Sequence, residues 1–126
     1  VELLDIYPTL TDLCDLPKPG QLAGKSLAPQ LDQPGPTKNF ALSQFPRPVA
    51  YNFKSAPPRA MGYSIRDDRH RLTQWIDFAS GKILAEEFYD YTVELPESKN
   101  LISAPQSAQA IGRLRPKLTA FIKTYK

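Results

Sequence analysis

The sequence predicts an α+β fold: a small antiparallel β-sheet packed against a C-terminal α-helix, preceded by a shorter helix and a proline-rich loop. Three observations predict it. Apolar residues recur with a period of two between Met61 and Tyr91. From Ser103 onward the period becomes helical, and an amphipathic helix laid on strands of this kind makes a two-layer domain. The 13 prolines, about twice the usual share, crowd between Pro17 and Pro58 and leave that half rich in loops.

Taken in order, VELLDIYPTLTDLC places Leu3, Ile6, Leu10 and Leu13 on one helical stripe, with Pro8 either kinking the helix or marking its first turn. The stretch after Asp15 holds too much Pro and Gly for a long element, and Ser26 to Leu31 has room for one short helical turn. FALSQF, from Phe40, is a strand candidate that ends at an arginine framed by Pro46 and Pro48, and RPVAYNFKSAPPRA follows as a loop. MGYSIR sets Met61, Tyr63 and Ile65 against Gly62, Ser64 and Arg66, and Asp67-Asp68 supplies a turn. RHRLTQWIDF returns with His70, Leu72, Gln74, Ile76 and Phe78 opposed to Arg71, Thr73 and Trp75, which completes a hairpin. After a turn at Ser80-Gly81-Lys82, AEEFYDY is a further strand with Phe88 alternating against Tyr89 and Tyr91. The last segment sets Ala108, Ile111, Leu114, Leu118, Phe121, Ile122 and Tyr125 at helical spacing, with a bend expected at Pro116. No internal repeat is present.

At 126 residues the chain has one domain's worth of length. Sixteen Lys and Arg against 13 Asp and Glu give a net charge of +3 with the charges dispersed, so nothing requires nucleic acid or an anionic membrane as partner. No apolar run approaches the roughly 20 residues of a membrane span. The first residue already lies in a structured-looking segment, which suggests a piece of something longer.

Few residues offer chemistry. Cys14 is the only cysteine and forms no internal disulfide; its place in a helical pattern reads as a buried packing residue. His70 is the only histidine, and without a second His or Cys nearby it does not make a zinc site. Asp67-Asp68 and Glu86-Glu87 are acidic pairs, but neighbours on a strand face opposite ways and cannot share one ion or proton simply. AGKS, Ala23 to Ser26, lacks the first glycine of a phosphate loop and the strand before it. The distinctive feature is SQFPRP, Ser43 to Pro48: two prolines restrict the backbone around Arg47 and suit a guanidinium meant to point in one direction.

VELLDIYPTLTDLCDLPKP followed by LAGKSLAPQL resembles the sulfatase segment V-x-L-x-D-I-x-P-T-L-x-x-L-x-G-L-P and G-x-S-L-x-P-x-L. SQFPRP, MGYSIR with RLTQW, and EEFYD leading to PESKNL resemble the closing part of that family, particularly its iduronate-2-sulfatase-like branch. The matching blocks run in order from Val1 to Leu101. The resemblance implies the C-terminal portion of a sulfatase of the alkaline-phosphatase superfamily, with residues 1–38 ending a large α/β domain and residues 39–126 forming a C-terminal subdomain. It implies that the missing N-terminal domain is a partner, that a formylglycine nucleophile and calcium belong to that part, and that the substrate is a sulfated carbohydrate. An extracytoplasmic location is implied too. Cys14 does not match the nucleophile motif, since Pro17 is three residues on and Lys18 replaces the arginine. At Asp15 the family's usual glycine is absent, at a place where a left-handed residue commonly ends a helix.

On this reading the chain alone hydrolyses no sulfate ester, and Gln44 and Arg47 are the candidate substrate-binding residues, facing the cleft of the complete enzyme. Arg47 serves either as a reader of an anionic substrate group or as a clamp between domains. The leucine stripe of the first helix is expected to face the missing domain or to drive self-association of the isolated chain. Two alternatives stay open, a non-catalytic interaction module and a part of a related phosphodiesterase or phosphonate hydrolase.

Overall fold

The computed structural model describes residues 2–35, 38–48, 57–93 and 97–125. The predicted loop over Val49 to Ala56 lies outside the described residues, as do Pro36, Thr37 and Pro96. The chain separates into two compact units, Val1–Ala41 and Leu42–Lys126.

In the first unit a 3-10 turn, Leu3–Asp5, leads into helix α1, Ile6–Leu13, and a short helix α2 follows at Pro29–Asp32. Pro8 sits in the first turn of α1, where its missing N–H has no partner to lose, so the helix is not kinked by it. The helix ends in a Schellman motif: Leu16 N–H donates to Thr11 C=O at 2.9 Å and Asp15 N–H to Asp12 C=O at 3.2 Å. Asp15 takes the left-handed conformation this needs, with φ 52°. The aspartate thus stands in for the glycine that the resembled segment carries there.

Asp5 organises this unit. Fully buried, its carboxylate accepts the backbone N–H groups of Glu2 at 2.9 Å and Lys25 at 2.8 Å, and the Lys38 ammonium at 2.6 Å. Lys38 also pairs with Glu2. Thr9 Oγ1 donates to Asp5 C=O at 2.6 Å and accepts the Leu27 N–H at 2.9 Å. Gly24 passes so close to the first turn that a Cβ there would lie 2.0 Å from the Leu4 carbonyl oxygen. AGKS is therefore packed on the N-terminal turn, with its Lys25 N–H engaged by Asp5. The inward face of α1 is Asp5, Pro8 and Thr11, while Leu3, Ile6, Leu10 and Leu13 are exposed.

The second unit is a four-stranded sheet, order β1-β2-β3-β4, with β1 Ala41–Arg47, β2 Ala60–Arg66, β3 His70–Asp77 and β4 Ile83–Asp90. Strands β2 and β3 pair antiparallel with Arg66 opposite Arg71 and Gly62 opposite Trp75. Strand β4 runs antiparallel to β3 with a register shift after Trp75, where Ala85 faces Trp75 but Ile83 faces Ile76, leaving Leu84 as the extra residue of a bulge. The turn at Asp77 closes through Ser80, whose N–H and Oγ both donate to Asp77 Oδ1, and Gly81 has φ 74°.

Helix α3, Ala108–Tyr125, covers one face of the sheet. Ile65, Leu72, Phe88, Leu114 and Leu118 are at most 1% exposed, with Tyr63, Ile76, Ile111 and Ile122 buried around them. The two periods read from the sequence, 2 for the strands and 3.6 for the helix, meet in this core. Ala108, placed on the helical stripe by spacing, is the first residue of α3 and is exposed. The helix continues through Pro116. Gly112, whose carbonyl the proline leaves without a partner, is exposed along with Pro116, so water can satisfy it.

Two outcomes test this description. Leu118→Ala leaves a void between helix and sheet, and denaturant unfolding should show a loss of about 2–5 kcal/mol. Burial raises the Asp5 pKa, but the bonds from Lys38, Lys25 and Glu2 outweigh it and lower it from 3.8 to about 2. The contribution of Asp5 is thus complete above about pH 4 and is lost as pH falls toward 2. An acid titration of the chain should show this window, and Asp5→Asn should remove the Asp5 share of it while Asp67 and Asp90, also lowered by their partners, keep theirs.

Candidate functional site

The face of the sheet opposite α3 carries the side chains that alternate with the core. Gly62, Ser64 and Arg66 of β2 and Arg71, Thr73 and Trp75 of β3 point there, as do Ala85, Glu87 and Tyr89 of β4. Thr73 Oγ1 donates to Ser64 Oγ at 3.0 Å in its middle. At one end the Arg66 guanidinium lies over the Tyr91 ring at 4.0 Å and that of Arg71 over Tyr89 at 5.3 Å, and Arg71 pairs with Glu97 at 2.9 Å.

Arg47 occupies the other end. Its guanidinium carbon lies 5.1 Å from the Trp75 ring centroid and 5.3 Å from that of Phe45, two residues back on its own strand. Trp75 Nε1 donates to Glu87 Oε1 at 2.9 Å. A Cβ on Gly62 would come within 2.7 to 2.9 Å of three atoms of the Trp75 ring. The indole therefore crosses β2 over a residue without a side chain and reaches the arginine on β1. The Arg47–Pro48 peptide is cis. Among the described residues no carboxylate pairs with Arg47, whereas Arg69, Arg71, Arg113 and Arg115 each hold one.

Gln44 is exposed on β1, three positions before Arg47. Strand alternation directs the two side chains to opposite faces, so the fold does not bring this pair together. Sequence reasoning also left Trp75, Gly62 and Glu87 unconnected to Arg47. The available signal was a glycine inside a strand pattern, which marks close approach of another group.

The remaining candidates have structural explanations. His70 stacks on Phe88 with centroids 5.5 Å apart, and its Nδ1 is 3.4 Å from both Asp67 Oδ1 and Arg113 Nη2. Asp67 is buried, which raises its pKa, yet hydrogen bonds from the His70 and Arg69 N–H groups and from Arg113 at 2.6 Å bring it below the usual carboxylate range. Glu86 bonds to Gln74 and Arg115, while Glu87 bonds to Trp75 and Tyr89, so the acidic pair splits between the two faces. Among the described residues no group of three or more His, Cys, Asp or Glu converges to hold a metal ion, and no helix is long and apolar enough to cross a membrane.

Cys14, expected to be buried, is exposed. It is the C-cap of α1, where the chain turns away from the helix, so the helical spacing that suggested packing does not extend to it.

No protein-family model matches the chain. Chicken (Gallus gallus) arylsulfatase K is 26% identical over 140 residues, covering 99% of this chain and 24% of the relative. Mouse (Mus musculus) iduronate 2-sulfatase is 27% identical over 150 residues, covering 92% and 27%. Delta 4,5-hexuronate-2-O-sulfatase from Bacteroides thetaiotaomicron is 29% identical over 123 residues, covering 98% and 24%. These three relatives are all sulfatases. It spans about a quarter of the length of these curated relatives. Among solved structures, a sulfatase candidate from Bacteroides thetaiotaomicron superposes with TM-score 0.71 at 27% identity, over 95% of this chain and 24% of that one. A phosphonate monoester hydrolase from Silicibacter pomeroyi gives TM-score 0.67 at 21% identity, over 93% and 24%, and shows that the fold is shared beyond sulfatases. The sulfatase resemblance read from the ordered motifs therefore has independent support in sequence and in fold.

The placement of Cys14 has a direct check. A thiol reagent should label it stoichiometrically in the native chain, and Cys14→Ser should change stability by less than about 0.5 kcal/mol, as expected for an exposed position. Protection from the reagent until global unfolding would return Cys14 to the core.

Proposed function

We propose that this chain is the C-terminal part of a sulfatase that hydrolyses sulfate esters of uronate-containing glycans. In this reading residues 1–38 end the large α/β domain and residues 39–126 form the C-terminal subdomain, which shapes the substrate cleft. The support is the run of sulfatase relatives, two of which are named for iduronate and hexuronate sulfates. A solved structure with TM-score 0.70 at 23% identity, over 96% of this chain and 24% of that one, is of a protein in complex with its substrate D-glucosamine-2-N,6-O-disulfate. In the same reading calcium and a formylglycine nucleophile belong to the remainder of the enzyme, since Cys14 does not match the nucleophile motif. An extracytoplasmic location belongs to the same reading.

The observation that carries a role for this chain is Arg47, lying over two aromatic rings and without a carboxylate partner among the described residues. Such a guanidinium keeps its forked donors available for an anion. Sulfate-ester hydrolysis develops negative charge on the sulfate oxygens, and a uronate adds a second anion away from the scissile bond, which Arg47 reads here. Gln44, exposed on the same strand but directed to its opposite face by alternation, would meet a different part of the substrate than Arg47 does. The shared fold with a phosphonate monoester hydrolase supports a second reading, in which the parent cleaves phosphonate or phosphate esters. The upstream nucleophile separates the two: a formylglycine-forming Cys or Ser motif for the sulfatase, an unmodified Thr or Ser for the relative.

Arg47→Ala in the complete enzyme tests the role. Loss of one charge-assisted contact of about 1.5–3 kcal/mol should lower kcat/KM roughly ten- to a hundredfold on a uronate-bearing substrate. The loss should be smaller on an aryl sulfate that lacks the carboxylate. Equal losses on both substrates together with a lowered Tm would make Arg47 an interdomain clamp instead.

A further inference from the structure

We propose that Trp75 is the positioning residue of Arg47, and that Gly62 and Glu87 exist in their places to seat it. The inference rests on the reading of Arg47 as the anion-binding group. It adds that the direction of the guanidinium is set by an indole two strands away.

One residue from each strand takes part. Glu87 of β4 accepts the indole N–H of Trp75 on β3 at 2.9 Å and fixes the rotation of the ring. Gly62 of β2 faces Trp75 directly in the register, and only the absence of a Cβ lets the ring lie on the backbone there. Any side chain at 62 would meet ring atoms at under 3 Å and lift the indole from the sheet. Across that glycine the ring meets Arg47 of β1 at 5.1 Å, and Phe45 flanks the guanidinium at 5.3 Å. The bulge at Leu84 adjoins the pairing of Trp75 with Ala85, where it increases the local twist of the strands.

The choice of rings over an acid has a chemical reason. An aromatic face attracts the guanidinium perpendicular to its plane and leaves the five N–H donors, which lie in that plane, free. A carboxylate would fix the same direction by occupying those donors, as happens at Arg69, where Nε and Nη2 both bond to Asp90 at 3.1 and 2.9 Å. Among the described residues Arg47 is thus oriented with no carboxylate to neutralise it. Its partner Trp75 is half-buried, with its ring laid on the sheet and its N–H engaged, so the indole positions the arginine rather than stacking on a sugar itself.

The test uses the complete enzyme, isotope-labelled over these 126 residues, with a 2-O-sulfated hexuronate disaccharide as probe, followed by NMR. In the unsubstituted enzyme the Arg47 side-chain protons should be shifted upfield by the Trp75 ring. Trp75→Phe, which shortens the ring and removes its N–H, should cancel most of that shift and weaken disaccharide binding about tenfold. Gly62→Ala should do the same. The double variant Arg47→Ala/Trp75→Phe should bind no worse than Arg47→Ala, because a positioning residue has no effect once its arginine is gone. Core resonances of Leu114 and Leu118 should stay in place throughout. Losses that add in the double variant, or a Trp75→Phe enzyme that binds normally with Arg47 unshifted, would overturn the positioning role and leave the anion-reading intact. Normal binding by Arg47→Ala, or no binding by the unsubstituted enzyme, would overturn the reading of Arg47 and this inference with it. Should Gly62→Ala fail to fold, Trp75→Phe carries the test alone.

Discussion

Everything in the second unit depends on the burial of α3 against one face of the sheet. Leu114 and Leu118, one turn apart, sit against strands that contribute Ile65, Leu72 and Phe88. Each such side chain contributes roughly 1.5–3 kcal/mol when removed from water. That contact also fixes register, because a slip of one residue in β2 or β3 would exchange the two faces entirely. Trp75 and Gly62 would then point into the core and Leu72 into water. The apolar core therefore decides which side chains the open face displays, although none of the core residues touches that face.

The open face follows a pattern of its own. Where an arginine and an acid meet there, as in Arg71 with Glu97, the pair closes on itself and holds neighbouring segments together, as the turn residue Arg69 does with Asp90 away from that face. Such exposed pairs contribute little to stability, and their value lies in fixing local geometry. Arg47 and Arg66, like Arg71, lie over aromatic rings, but among the described residues no carboxylate pairs with either. At Arg47 the ring belongs to the third strand, so the orientation of one edge residue is tied to the whole width of the sheet. The first unit uses the opposite device, a buried carboxylate that gathers Glu2, Lys25 and Lys38 to one point.

Much of this architecture was legible in the sequence. The period of two gave the inward residues of β2 and β3 correctly, Tyr63 and Ile65 against Leu72 and Ile76, and Pro8 fell in a first turn. The departure from glycine at Asp15 put the helix cap in question, and the aspartate nonetheless takes the left-handed conformation there. Cys14 was misplaced because helical spacing does not say where the helix stops. The site was less legible. Proline framing drew attention to Arg47, but periodicity on one strand carries no information about register between strands, and the Arg47–Trp75 contact joins residues of two strands that are not neighbours. The pairing of Gln44 with Arg47 rested on closeness in sequence, and an odd separation of three on a strand works against it.

The indole in this bridge is the single tryptophan of the chain. Most proteins of this size report on their hydrophobic interior through tryptophan emission, whereas here the core of Leu, Ile and Phe contributes almost nothing to that signal. The dominant fluorophore instead sits on the face away from α3, hydrogen-bonded to a carboxylate and covered by a guanidinium, two groups that modulate indole emission. Optical spectroscopy of this protein is thereby a view of the arginine platform, and a loosening of β1 at the sheet edge would register in it before the helix and the interior had changed.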